Sequence, residues 1–555
     1  MKKILDNNYF DLIFTNPVIS TPSNDSITYL NNRHSLLHIP IADIDICELA
    51  RYPVHTFPSL FTLNSTVNLE QTGVGEVQRN PALALFGQGV IVVVIDTGID
   101  YQHPAFRNSD GSTRILTIWD QTQQEGTPPD TFTFGTEYSR ETINAALNSE
   151  DPLSVVPSTD TNGHGTAIAS VSAGTPNVRE AFSGVAPQSD LVIVKLKEAK
   201  QNLKSFYFVP DDALCFQESD LMLGFRYSLT IQERFNRPVV TCFAVGSSQG
   251  GHDGRSPLSG YLNDLVLQPG IGTSVSAGNE GNSQRHYFNS TTSEPYYNDF
   301  ELRIGENDKM FGMEIWSHSL GRVSIDISSP NRESTQQVYP AIGDCRIFNF
   351  VFTPTTLYVN NYIFEEETGD QMILVRFQNT IPGIWRIRIR SIENELSLSC
   401  LASFRRLISE QTYFINSSPD TTITAPGNGN RQLTVTAFNQ LNNSILGESS
   451  RGYTRMGLVK PDIAAPGYQL TCAVPGGGYG SVTGSGAAAA HTAGIISMVF
   501  EWAIVRGNYS TMNGVNVSRL MMRSGVRGSS YTYPNNLWGY GQVNVASLFR
   551  QFSSI

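Results

Sequence analysis

A chain of 555 residues is longer than one ordinary domain and predicts three or four folding units. Its 40% hydrophobic and 10% aromatic content suffices for sizeable cores and excludes a disordered chain. A net charge of −12, with no lysine- or arginine-dense run, excludes a nucleic-acid partner.

The chain opens "MKKILDNNYFDLIFTNPVIS", where Asp6, Asn7, Asn8 and Asp11 interrupt the apolar run that a cleavable signal needs. No spanning helix is expected either, so the protein is expected to stay inside a cell or a cell-derived compartment. Residues 1 to about 75 read as a small mixed region with a strand at "SLLHIPIADI" and prolines at Pro53 and Pro58. "GQGVIVVVIDTGID" (87–100) is a β-branched run, the pattern of a parallel strand buried on both faces. "SDLVIVKLKE", "RPVVTCFAVGS" and "GIGTSVSAGNEG" repeat it with helix-compatible segments between, which predicts a doubly wound, mostly parallel α/β sheet.

From about 284 to 424 the alternation stops. "DFELRIG", "KMFGMEIWS", "RVSIDIS", "RIFNFVF", "QMILVRFQN", "GIWRIRIRSI" and "ELSLSCLAS" are short strands without helices, as in an inserted antiparallel β-sandwich. In "WRIRIR" the strict alternation predicts one apolar face and one wet face. The parallel pattern resumes at "TITAPGNGNRQLTVTAF". Cys47, Cys215, Cys242, Cys345, Cys400 and Cys472 have no metal-ligand spacing and are read as buried thiols, not a disulfide framework. No cofactor and no metal site is expected.

Three motifs follow strand ends: Asp96 in "VVVIDTGIDYQHP", His164 in "DTNGHGTAIAS" before an Ala/Ser-rich helix, and Asn279 in "VSAGNEG". An acid to orient an imidazole, the imidazole to take a proton, and an amide to donate to an oxyanion are components of acyl-transfer machinery. The fourth piece, "GSVTGSGAAAAHTAGIISM" (480–498), reads as a helix start after a tight turn, a place that stabilises negative charge. His491 within it is read as a core histidine, His252 and Asp253 in "GGHDG" as loop geometry.

This order of motifs resembles the subtilisin-like serine proteases, with their DTGI, HGT, AGN and GTSxAxPxxAG texts; "VKPDIAAPG" (459–467) matches as well. "DYQHPAFRNSDGSTRILTIWDQT", "GGHDGRSP" and the β insert resemble, more narrowly, the clostridial Csp germination proteases. The resemblance implies a prodomain at 1–75, a subtilase domain at 76–283 and 425–555, and a jelly-roll insert at 284–424; the family releases its prodomain by self-cleavage, so a chain lacking the nucleophile is expected to keep it uncleaved. It implies Asp96 and His164 as catalytic groups, Asn279 in the oxyanion hole, and Ala244, Val245 and Gly246 along the substrate strand.

Aligned without gaps on His491 and Ala493–Gly494, the fourth motif puts Gly486 where the family has its nucleophilic serine. Glycine has no atom for His164 to deprotonate, so the covalent mechanism lacks its first step. Ala244 replaces the serine of the family's substrate strand, and Ala490 its usual proline. The reading is a pseudoprotease that regulates spore germination by binding a germinant or its active relatives, made in the forespore. The expected partners are related Csp proteases, a cortex hydrolase precursor or a small-molecule germinant. The alternative is an active endopeptidase that activates a cortex-lytic precursor, with Ser485 as nucleophile or Gly486 an inactivating replacement. A third reading, carbohydrate binding by the insert, would depend on Trp316 and Trp385.

Overall fold

The computed structural model describes residues 2–16, 26–44, 52–63, 72–291, 296–317, 322–391, 396–403 and 407–552. Its centre is a nine-stranded sheet. The order runs Ser444–Ile445, Leu433–Asn439, Ile271–Ser276, Val239–Phe243, Ile91–Asp96, Asp190–Lys195, Ile115–Asp120 and Thr136–Ser139, with Ile463–Pro466 also beside Leu433–Asn439. The inner ladders are parallel, and the short strands at the two ends pair antiparallel. All six residues of Ile91–Asp96 are buried, because helices cover both faces and leave a β-branched strand as the stable choice. After this strand the chain first builds one side of the sheet, then the other. Asp96 therefore ends the strand at the topological switch point, where α/β sheets open a crevice.

Two wholly buried helices lie on this sheet, His164–Ala173 and Ser485–Phe500. They pack closely: a Cβ on Gly494 would lie 2.8 Å from the Ser172 carbonyl oxygen and 2.4 Å from Val185 Cβ, so only glycine fits. Ser485–Val505 is long and apolar enough to cross a membrane, contrary to the sequence reading. Its apolar window is 83% buried inside the protein, as expected of a core helix hydrophobic all round.

Between His286 and Phe414 the chain forms two antiparallel sheets, of six and four strands, whose inward residues share one core. In Gly383–Ser391, Trp385, Ile387 and Ile389 face that core. Arg386, Arg388 and Arg390 alternate outward and pair with Glu301, Asp299 and Asp326. Trp316 and Trp385 are 3% and 0% exposed, so neither offers a face to a sugar; cores claim such rings first.

The N-terminal region is a three-stranded antiparallel sheet of Tyr9–Thr15, His34–Pro40 and Ile27–Tyr29. One apolar cluster joins all three parts of the molecule. It holds Phe10, Leu12 and Phe57 from the N-terminal region, Leu203 and Phe206 from the α/β domain, and Trp316 and Leu374 from the insert. Phe57 stacks on Phe206 with ring centroids 4.3 Å apart. At its edge Asp11, wholly buried, accepts from Lys200 Nζ (2.8 Å), Gln217 Nε2 (2.9 Å) and His38 Nδ1 (2.6 Å). Burial works against the charge of this carboxylate, but Lys200 and His38 outweigh it and bring the pKa down to about 2.

The cysteine reading needs one correction. Cys215, Cys242, Cys400 and Cys472 are buried free thiols, but Cys345 is disulfide-bonded; Cys47 lies outside the described residues. Cys345 begins Cys345–Asn349, an outer strand of the six-stranded sheet with a half-exposed to exposed face, where no apolar packing seals the sulfur.

Candidate active site

Asp96 is fully buried and grips the His164 ring: Nδ1 lies 2.7 Å from Oδ1 and 2.9 Å from Oδ2. The Thr97 amide donates to the same Oδ1 at 2.7 Å, fixing the carboxylate plane. Nδ1–H is thus the donor to Asp96, which fixes the tautomer and the ring orientation. This approach depends on Gly165, since a Cβ there would stand 2.2 Å from the Gly98 carbonyl oxygen and 3.2 Å from Asp96 Cβ. The turn before the helix reaches φ +85° at Gly163, in the left-handed region that glycine favours.

Asp160, which the sequence reading passed over, organises this turn. Its Oδ1 accepts from Gly163 N and Thr97 Oγ1, and its Oδ2 from Thr166 N and Thr166 Oγ1, all at 2.7–2.8 Å. Asp160 lies three residues before the N-cap Gly163, outside the position where an acid marks a helix start, so no local signal singled it out. Through Thr97, whose hydroxyl also accepts from Gly165 N, Asp160 ties the strand end to the helix start.

Asn279 sits half-buried past the end of Ile271–Ser276, at the same carboxyl edge of the sheet. Its Oδ1 accepts from the Ser485 amide at 3.0 Å, joining it to the start of Ser485–Phe500. Gly486 is the second residue of that helix, buried, with no side chain to present. Ser485 is fully buried, and its hydroxyl accepts from the Gly278 amide at 3.0 Å. His491, deeper in the helix, shares a 2.7 Å hydrogen bond between Nε2 and Thr72 Oγ1. Burial lowers its pKa to about 3, so it is a neutral core residue. Among the described residues no group of three His, Cys, Asp or Glu side chains is arranged to hold a metal ion.

An acid-oriented imidazole and an amide at a helix start, all on the switch-point edge of one parallel sheet, are a hydrolase's frame. The family model described as the subtilase family matches residues 87–541. The chain belongs to the subtilase family. Among solved structures, the CspB protease of Clostridium perfringens is similar at 28% identity and a TM-score of 0.78, over 87% of this chain and 98% of that one. The prenylagaramide maturation protease PagA (12% identity, TM-score 0.43, 87% and 99% coverage) and sphericase (14%, 0.42, 86% and 100%) also match. This subtilase is a subtilisin-like protein of the Csp group.

In this subtilase the residues assigned to the substrate strand are already paired. Val245 and Gly246 form an antiparallel ladder with Leu63 and Thr62 of the chain's own Leu60–Leu63. On its other side Leu60–Phe61 pairs with Phe216–Gln217, so the segment is the middle strand of three. The Leu60 amide also donates to Gln249 Oε1 at 2.7 Å. "LFTL", close after Pro58, was not read as a strand in the sequence, because the partners that make it one, Val245–Gly246 and Phe216–Gln217, are far along the chain.

Residues 365–370 of the insert gather basic groups from both other parts. His55 Nδ1 lies 2.8 Å from Glu365 and Nε2 3.8 Å from Glu367; Arg33 approaches Glu367, and Arg455 pairs with Asp370 at 2.5 Å. Burial pulls the His55 pKa down, but the Glu365 hydrogen bond and the charges of residues 365–367 outweigh it and hold it above the ordinary value. A raised histidine stabilises fully below its unfolded pKa of about 6.5 and loses this as pH rises through the folded value. The difference in thermal midpoint between the parent and His55→Gln should therefore be wide at pH 5.5 and close by pH 8.5. A gap independent of pH would show that His55 acts by packing alone.

Proposed function

We propose that this chain is a pseudoprotease of the Csp group, acting by binding in the control of spore germination. The observation that carries the reading is Gly486, at the start of the active-site helix where the family has its serine. The Asp96–His164 pair and the Asn279 contact with the helix start support a subtilase site whose aligned serine position supplies no nucleophile. The Ser485 hydroxyl, buried and bonded to the Gly278 amide, is a poor substitute. The partners in this reading are related Csp proteases, a cortex hydrolase precursor or a small germinant, and the place is the forespore. With Leu60–Leu63 in the substrate slot, recognition falls more naturally to the insert than to the cleft.

The intact Asp96–His164 pair favours a second reading, a working endopeptidase using Ser485. Treatment of the full chain with a fluorophosphonate probe, followed by intact-mass measurement, separates the two. No adduct is expected, and an adduct on Ser485 would overturn the first reading.

A further inference from the structure

Where the N-terminal region, the α/β domain and the insert meet, a cavity remains. Phe57, Tyr207 and Trp316 supply aromatic wall, one from each part. Four acidic side chains line it, Asp253, Glu314, Glu365 and Glu367, together with Arg255, His55 and His252; Arg255 donates to the backbone carbonyls of Glu367 and Thr368. Three of the acids have basic partners, Arg455 for Asp253 and His55 for Glu365 and Glu367. Glu314 has none among the described residues.

Glu314 is 8% exposed, and both hydrogen bonds it accepts fall on one oxygen, Oε2, from the Gly250 amide (2.9 Å) and the Trp316 indole (3.1 Å). Oε1 receives no hydrogen bond among the described residues, although the side chain lines the cavity. A buried carboxylate held by two donors on one side and lacking a counter-charge on the other is a costly arrangement. A cation placed beside Oε1 relieves that cost by charge, the rings serving only as apolar wall because Phe57 is stacked on Phe206 and Arg455 already covers Trp316.

We propose that this cavity binds a small organic cation, a primary ammonium group, with Glu314 Oε1 as its counter-ion. The space suits a head group and little more, so the recognition chemistry is charge and three N–H donors rather than an extended shape. Because all three parts contribute wall, an occupied site favours the docked arrangement of the N-terminal region by linkage. Burial raises the pKa of Glu314, and an ammonium beside it works the opposite way, so binding near that pKa releases a proton. The inference stands apart from the pseudoprotease reading, since neither His164 nor Gly486 takes part.

The test is calorimetry on the full chain with methylammonium chloride, set against equal concentrations of sodium chloride and of methanol, a neutral molecule of similar size. A saturable heat with methylammonium alone is expected, together with a rise in thermal midpoint. Glu314→Gln, which retains an acceptor for Gly250 and Trp316, should weaken binding at least tenfold. Equal heats from sodium chloride, no saturable heat, or undiminished binding by Glu314→Gln would each overturn the proposal. If Glu314→Gln does not fold, the native chain decides: methylammonium and methanol must differ.

Discussion

Gly486→Ser is expected to convert a chain inert to fluorophosphonates into one that labels at position 486 and cuts itself once between Leu63 and Thr72. The reasoning is that the remaining apparatus is assembled. Asp96 holds His164 by Nδ1, Asp160 and Thr97 fix the turn, and Asn279 already touches the start of the helix. In this class of hydrolase, losing the serine alone costs about 10⁶-fold in kcat, so restoring it carries the largest effect available from one residue. Leu60–Leu63 already pairs with Val245–Gly246, the strand that the proposed reading gives to substrate, which would direct the first cut to the chain's own connection. A variant that folds but neither labels nor cuts would place the loss of function beyond the nucleophile. Ala244 and Ala490 would then be the next positions to restore.

Asp11→Ala should be the most destabilising change outside the main core. It leaves the Lys200 ammonium, itself buried, without its carboxylate, and breaking a buried pair from one side costs ~3–5 kcal/mol. Arg386→Ala, on the wet face of the insert, should cost below ~1 kcal/mol, because its pair with Glu301 is exposed. The acid limb adds a second reading of the same site. A carboxyl lowered to about 2 contributes stability that is complete above its unfolded pKa and lost as pH falls through the folded one. That contribution is on the order of 2 kcal/mol for Asp11. Chemical denaturation at pH 7 and again near pH 2.5 checks both: the parent and Asp11→Ala should differ widely at the first, and the gap should be clearly narrower, though not closed, at the second.

The parts of the fold easiest to read were those where local pattern and burial agree. "VIVVVID" could only be a strand covered on both faces, and "WRIRIR" announced its two faces by alternation. Asp96 and Asn279 were legible because they lie at or just past strand ends, which converge in a parallel sheet. His164 does not follow a strand as expected but opens the helix His164–Ala173 after two short helices, and its flanking glycines were the signal that found it. What stayed hidden was long-range pairing. His286–Thr291 and Thr356–Tyr362 went unnoticed among polar residues, since antiparallel neighbours supply the partners that make them strands. Residues 365–370 drew no notice in the sequence, because the partners that give them a role, Arg33, His55 and Arg455, come from two other parts of the chain. The cysteines misled for a related reason: spacing along the chain says nothing about a sulfur on an outer strand.

The strand Leu60–Leu63 also sets a threshold for any outside peptide. In the proposed reading it acts as a ligand carried on the same molecule, and short covalent connections give effective concentrations in the millimolar range. A free peptide of equal intrinsic affinity must exceed that concentration to take its place. Peptides at micromolar levels thus meet a receptor that behaves as already saturated, and the slot answers only to a competitor that binds far more tightly or to an event that first lifts the tether.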